Sequence, residues 1–225
     1  MPRDGAKTKQ RIMDAAQAQV LERGFAATSV DAIQEAAGIS RGTFFYHFPS
    51  KDDLARAVIE RYAEEDRGLV NDLMARAESL ASDPLQHALI FLGLLEEVFR
   101  ETGAGEAGCL FASYSYEAGL FDERTDALII GSIELWRRTL GGKLEAALER
   151  HPAKLPDTDP YVLADMAYGV LQGAFIFGRT LSDPSVMVTH VRQFRSFLEL
   201  LFEVGLPTES TASTVPDALE RKSSP

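Results

Sequence analysis

Segment 28–51, TSVDAIQEAAGISRGTFFYHFPSK, constrains this chain more than any other. Val30, Ile33 and Ala37 fall on one face of a short helix, and Gly38 ends it. Ser40 is a good N-cap for a second short helix running to about Tyr46. Gly38 supplies the positive φ that so tight a turn needs, and the apolar Ile39 after it plugs the gap between the helices. Pro49 breaks the chain, and Ser50 with Asp53 opens a long helix carrying Leu54, Val58 and Tyr62. This is the spacing of a helix-turn-helix, although a Gly-Ile turn can also join two helices of an ordinary bundle. The aromatic cluster Phe44, Phe45, Tyr46, His47 and Phe48 argues against the plain bundle, because so many rings cannot all face one small core.

The rest of the chain also reads as helix. From Lys7, apolar residues recur at Ile12, Ala16 and Val20; Gly24 serves as C-cap, with Phe25 packing back. Thr28 with Asp31 forms a capping-box start for the next helix. Asp83-Pro84, Asp159-Pro160 and Asp183-Pro184 each pair an N-cap acid with a proline suited to the first helical position. Long apolar-periodic stretches follow them at 84–102, 160–181 and 184–204, and a further one covers 122–150. No alternating run marks a strand, and no internal repeat is visible. The expected class is all-α, with a helix-turn-helix domain over 1–49, a larger helical domain over 50–204, and a Pro/Ser/Thr-rich disordered tail over 205–225.

Composition excludes several classes. The single cysteine, Cys109, permits no intramolecular disulfide and no Cys-cluster zinc finger. His47, His87, His151 and His190 lie far apart, without metal-ligand spacing. No apolar run approaches the roughly 18 residues of a membrane span, and the start MPRDGAKTKQ lacks an apolar signal core. A cytoplasmic protein with no membrane partner is therefore expected. Gly103 to Gly108 spell G-x-G-x-x-G, but a helix precedes them where a dinucleotide site needs a strand, so they read as a loop. Gly141-Gly142-Lys143 lacks the first half of a phosphate loop. Glu64-Glu65 and Glu96-Glu97 are expected on solvated faces. No enzyme activity, cofactor or metal is expected. The net charge of −11 argues against a nucleic-acid binder taken alone. It is unevenly spread: residues 1–51 carry seven Lys/Arg against five Asp/Glu, a net +2, which leaves −13 for the remainder. Salt screens charge beyond about 8–10 Å, so the local balance matters more than the total.

The second short helix carries chemistry suited to a DNA groove. Arg41 at its start can hydrogen-bond guanine O6 and N7 together, worth about 1–3 kcal/mol of discrimination. Gly42 permits close approach, and Thr43 can meet a base, a phosphate or a thymine methyl. Tyr46, His47 and Lys51 present donors suited to phosphates. Helix N-termini at Thr28 and Ser40 add backbone N–H groups and a positive dipole end. The stretch ATSVDAIQEAAGISRGTFFYHFPSKDDL resembles the N-terminal domain of TetR-family transcriptional regulators, over about residues 7–60. The resemblance implies about nine helices in a homodimer. The first three bind double-stranded operator DNA, the fourth connects, and the others bind a small effector and dimerise. By motif position it places DNA contacts on Thr28, Ser29, Arg41, Gly42, Thr43, Phe45, Tyr46, His47 and Lys51. Phe45 stands where the family usually has Tyr, so a phosphate-binding hydroxyl is missing. Gln34 stands where the motif usually has a small Ala and is expected to turn outward or to be tolerated by a slight shift of the helix crossing. Steric block of polymerase is the commoner family mode, which favours repression over activation. The rival is a ligand-binding module or enzyme keeping the helix-turn-helix as a relic.

For the effector site, Phe91, Phe111, Tyr114, Trp136, Gln172 and Phe175 are candidate lining residues, or simply core. A cavity they lined would take a largely apolar, even aromatic, ligand. Arg179 and Arg137 could each serve a carboxylate. Cys109 should sit just before a helix opening near Leu110; it is a candidate sensor thiol opposed by Glu106, or a buried structural cysteine. Gly169 and Gly173, four apart, would let helices approach closely. With Phe194, Phe197, Leu198 and Leu201 they are expected to mark a dimer face, pairing two helices with their symmetry mates in a four-helix bundle, the alternative being one internal helical hairpin.

Overall fold

The computed structural model describes residues 2–103, 108–117 and 119–204. Among these are nine helices and no strand. They are α1 (Pro2–Arg23), α2 (Val30–Ala37), α3 (Arg41–His47), α4 (Lys51–Leu80), α5 (Pro84–Thr102), α6 (Leu110–Ser115), α7 (Glu123–Leu148), α8 (Pro160–Leu181) and α9 (Ser185–Leu201). The expected tail 205–225 and Glu106 lie outside the described residues.

The caps explain most boundaries. Asp83 accepts from Leu85 and Gln86 N–H, with Pro84 in the first turn, and Asp159 does the same for Tyr161 and Val162. The third Asp-Pro pair is shifted by one. Asp183 accepts from Ser185 N–H at 2.9 Å, while Pro184 already has helical dihedrals and occupies the cap. Thr28 is not a cap: Ser29 caps α2, its side chain accepting from Ala32 N–H at 3.1 Å. Ser50 caps α4, whose thirty residues span about 45 Å.

The helices share two apolar cores. A head core joins Ile12, Ala16 and Val20 of α1 to Ile33 of α2, Phe44 of α3, and Leu54, Val58 and Ile59 of α4. It also takes in Leu110, Phe111 and Tyr114 of α6 and Ile129 of α7. A three-helix unit of about fifty residues has little interior of its own, so the first half of α4 and the whole of α6 complete it. A body core joins the far half of α4 to α5, α7, α8 and α9 around Phe91, Leu95, Leu140, Leu144 and Leu198. Glu96, expected on a solvated face, is instead 5% exposed. Arg192 donates to it at 3.1 Å, Arg195 stands 3.9 Å away, and Arg100 also pairs with it. Three guanidinium groups supply what a buried carboxylate needs.

One expectation about apolar length is corrected. Helix α8 is long and apolar enough, by length and composition, to cross a membrane. Here its inner face, Leu163, Ala167, Leu171 and Ala174, packs in the body core. Its outer face carries Val162, Met166, Ile176 and Phe177, all half-exposed.

Candidate DNA-binding head and effector cavity

The turn between α2 and α3 is built as the sequence suggests. Gly38 adopts φ +61, and its N–H and that of Ile39 close the end of α2 onto Glu35 and Gln34 carbonyls at 3.1 and 3.0 Å. The Arg11 guanidinium donates to the Ala37 carbonyl, compensating the negative end of the short helix. Ser40 caps α3, its Oγ accepting from Thr43 N–H at 3.2 Å and lying 2.9 Å from Thr43 Oγ1. Phe44 and Phe48, four apart, point into the head core and are buried. Arg41, Gly42, Phe45 and Tyr46 stand on the exposed side. Tyr46 is 81% exposed, and Phe45, at 41%, lies under the Arg41 guanidinium at 5.5 Å. Without a hydroxyl, Phe45 here supports Arg41 as a packing surface. Arg41 is otherwise 3.9 Å from Asp31, a loose surface pair. His47 is half-buried, its ring edge-on to Tyr46.

Two expected DNA contacts are corrected. Thr28 is 1% exposed, and its hydroxyl donates to the Gly24 carbonyl at 2.8 Å. The Lys51 ammonium donates to the Phe25 carbonyl at 2.6 Å and stands 4.0 Å over the Phe25 ring. Burial holds that ammonium below its ordinary pKa. Both side chains hold the α1–α2 loop in place instead of facing solvent. Gln34 does not turn outward: it is 9% exposed, and its buried Nε2 has no partner among the described residues. It falls on the buried face of α2 beside Ile33 and Ala37, while Asp31, Glu35 and Ala36 take the exposed positions.

A cavity of about 350 Å³ lies where head meets body. It is lined by Gln17 and Leu21 of α1, Tyr62, Asp66 and Leu69 of α4, Val98, Phe99 and Thr102 of α5, Gly108, Cys109 and Phe111 at and before α6, Trp136 of α7, and Tyr168, Leu171, Gln172 and Phe175 of α8. Four of the six expected lining residues, Phe111, Trp136, Gln172 and Phe175, are therefore brought together, and Cys109 joins them. Phe91 and Tyr114 are not. Phe91 is fully buried behind Trp136, edge-on at 5.7 Å, and belongs to the body core. Tyr114 points into the head core, stacks on Phe121 at 4.3 Å, and donates from its hydroxyl to the Ala55 carbonyl at 3.1 Å. Phe111 and Tyr114, three apart on α6, both pack in the head core, and of the two only Phe111 also borders the cavity.

The cavity's polar groups are few. Cys109 is buried at the cap of α6, and Gln172 Nε2 donates to its Sγ at 3.4 Å. Gln172 Oε1 is buried without a described partner. Asp66, a residue the sequence reading missed, accepts from Trp136 Nε1 at 3.0 and 3.2 Å. Burial pushes its carboxyl up to about 6. A signal was present: the i, i+4 ladder Leu54, Val58, Tyr62 continues to Asp66. Neither proposed carboxylate partner lines this cavity. Arg137 pairs with Asp165 at 2.9 Å, and Arg179 donates to the Leu21 and Glu22 carbonyls at the end of α1. Glu117, also missed, follows α6 and accepts from the Phe25 and Ala26 N–H groups, both at 2.7 Å. Head and body are thus joined by short polar contacts next to the cavity.

The expected dimer set divides. Phe194, Leu198 and Leu201 are buried within the single chain, so the structure corrects their assignment to a surface between chains. Gly169 is exposed and Gly173 half-buried on the outer face of α8, and a Cβ at either would meet nothing within 4 Å. Phe197 is half-buried beside Phe194.

Residues 12–58 match the family described as bacterial regulatory proteins, tetR family. Over 191 residues the chain is 27% identical to the transcriptional regulator AcuR of Cereibacter sphaeroides, covering 85% of each sequence. Its structure is similar to the regulatory protein TetR from Rhodobacter sphaeroides, with a TM-score of 0.67 and 27% identity over 83% of this chain and 96% of that one. A TetR-family regulator from Agrobacterium tumefaciens superposes with a TM-score of 0.70 at 19% identity, covering 86% and 98% of the two chains, a likeness of fold.

Proposed function

We propose that this chain is a TetR-family transcriptional regulator, a ligand-responsive repressor that binds a palindromic operator as a homodimer. The observation that carries the reading is the division of α3. Phe44 and Phe48 anchor it while Arg41, Gly42, Thr43 and Tyr46 are presented on its free side. A helix held from behind offers its front to the major groove. Ser29, and His47 beside Tyr46, stand where phosphate contacts would fall, and the α2 and α3 N-termini add their N–H groups. Thr28 and Lys51 act indirectly in this reading, by fixing the loop that orients α2.

Dimerisation is assigned to the outer face of α8 with the adjoining side of α9. Val162, Met166, Gly169, Gly173, Ile176 and Phe177 form one apolar stripe with small residues at its centre. Two copies related by a two-fold axis would bury it and set two heads one helical turn of DNA apart, about 34–36 Å. The cavity beneath α1 is assigned to an effector. Whatever it binds that favours a different head spacing weakens operator binding, and the operator weakens it in return. The Glu117 and Arg179 contacts to the end of α1 give a direct physical route. The setting proposed is the cytoplasm, with no catalysis, metal or cofactor.

The test is selection of bound duplexes from fragmented genomic DNA with the wild type and with Arg41→Ala. The wild type is expected to recover a short palindrome that Arg41→Ala loses, with affinity falling steeply as salt rises. A folded dimer that enriches no site would overturn the operator reading and favour the ligand-binding rival.

A further inference from the structure

Among the described residues the cavity is lined by one acid and no base. Asp66 reaches it from α4, and no Lys, Arg or His among the described residues lines it. The acid's described hydrogen-bond donor is the Trp136 indole N–H. Burial without a compensating cation pushes this carboxyl to about 6, and the indole recovers only part of the loss. An isolated charge is costly to bury, and a cationic ligand would offset that cost.

The surrounding surface has the same polarity. Tyr62 and Trp136 share the cavity wall with Asp66, and Tyr168 sits edge-on to Trp136 at 6.0 Å. Phe111 stands 4.8 Å from Tyr62, and Phe99 faces Phe175 at 6.0 Å. The faces of such rings carry negative potential and attract organic cations. An anion would be repelled by the carboxylate, while a neutral apolar molecule would leave the carboxylate uncompensated.

We infer that the cavity selects an amphiphilic or aromatic organic cation, with its ammonium group seated against Asp66 and its apolar part among Phe99, Phe111 and Phe175. This rests on the effector reading of the cavity and deepens it from an apolar ligand to a charged one. It also gives the ligand a handle on the fourth helix. Asp66 lies on the same continuous α4 that starts at Lys51, directly after the DNA-reading helix.

Phenyltrimethylammonium and its uncharged isostere tert-butylbenzene test this on the full chain. Binding is read by calorimetry and by the emission of Trp136, the only tryptophan, which touches Asp66. The cation is expected to bind at least tenfold more tightly than the isostere. Asp66→Asn, which keeps an acceptor for the indole, is expected to erase that preference, and Asp66→Glu to retain it. Equal or tighter binding of the isostere by the wild type would overturn the inference while leaving the effector reading intact. A preference unchanged in Asp66→Asn would remove Asp66 from the role and overturn it too. No binding of either probe would overturn the inference and the effector reading together.

Discussion

Asp66 continues an apolar ladder as a charged residue, and its ionisation has a measurable consequence. Its carboxyl titrates near 6 in the folded chain against 3.8 ordinarily. Between those values the folded chain holds a proton that the unfolded chain has released, so stability falls as pH rises through that window. Above about pH 6 the full penalty is present, on the order of 3 kcal/mol at most. The titratable groups facing it are Tyr62 from the same helix, Tyr168 from α8 and Cys109 at the start of α6; burial raises both tyrosines further above their ordinary values. Asp66→Asn is therefore expected to match the wild type in stability near pH 4 and to exceed it by up to roughly 3 kcal/mol at pH 8. Paired denaturant titrations at the two pH values measure this, and identical pH profiles would refute it. At this scale the sequence was informative where a residue's role is local. Gly38, Ser40 and Ser50 could be assigned from their neighbours alone. Lys51 could not, because its partner Phe25 lies 26 residues earlier and is reached only after the chain folds back.

At the scale of elements, two adjacent glycines separate packing from propensity. Gly141 and Gly142 both lie inside α7. A Cβ at Gly141 would come 2.7 Å from Cδ1 of Tyr161, where α8 crosses close by. The Tyr161 hydroxyl donates to Glu145 at 3.1 Å, which helps hold the ring there. A Cβ at Gly142 would meet nothing within 4 Å. Gly141→Ala is expected to destabilise by about 1–3 kcal/mol through overpacking. Gly142→Ala should stabilise by up to about 1 kcal/mol, since alanine is the better helix former. Thermal melts of the two variants distinguish these outcomes, and shifts of the same sign would refute the argument. Helix periodicity and Asp-Pro caps made the elements readable, because both act within one or two turns. The crossing of α7 and α8 was not readable, since one glycine pattern serves both a close contact and open solvent.

At the scale of the whole molecule, the chain is a head and a body sharing α4 and α6. Glu117 and Arg179 link the body to the end of α1 and the loop after it. Glu117→Ala is expected to speed hydrogen exchange at the Phe25 and Ala26 amides while leaving Val191, deep in the body core, unchanged. Unaltered exchange at those two amides would refute the link. The apolar stripe on α8 gives a second expectation. Phe177→Glu, at a half-exposed position within it, should sediment as a monomer where the proposed dimer is expected of the wild type, because a charge would be buried against its own symmetry mate. A variant that remains dimeric would move the interface elsewhere.

The sequence by itself determined the helical class, most helix starts, the helix-turn-helix and the outward side of α3. These follow from periodicity, caps and one positive-φ glycine, all of which act between residues a few positions apart. Only the tertiary structure decided which large side chains line the cavity and which fill the cores. Phe91 and Phe111 look alike in sequence, and their fates depend on which neighbouring helix covers them. The same holds for Phe194, Leu198 and Leu201, whose apolar area is covered within the chain by α5 and α8. Glu96, Asp66 and Glu117 are three acids on helical stretches that one sequence cannot tell apart. The first is neutralised by arginines, the second is left uncompensated in a cavity, and the third is fixed on two backbone amides. Those differences come from contacts made across long separations in the chain, where local chemistry carries no record of the partner.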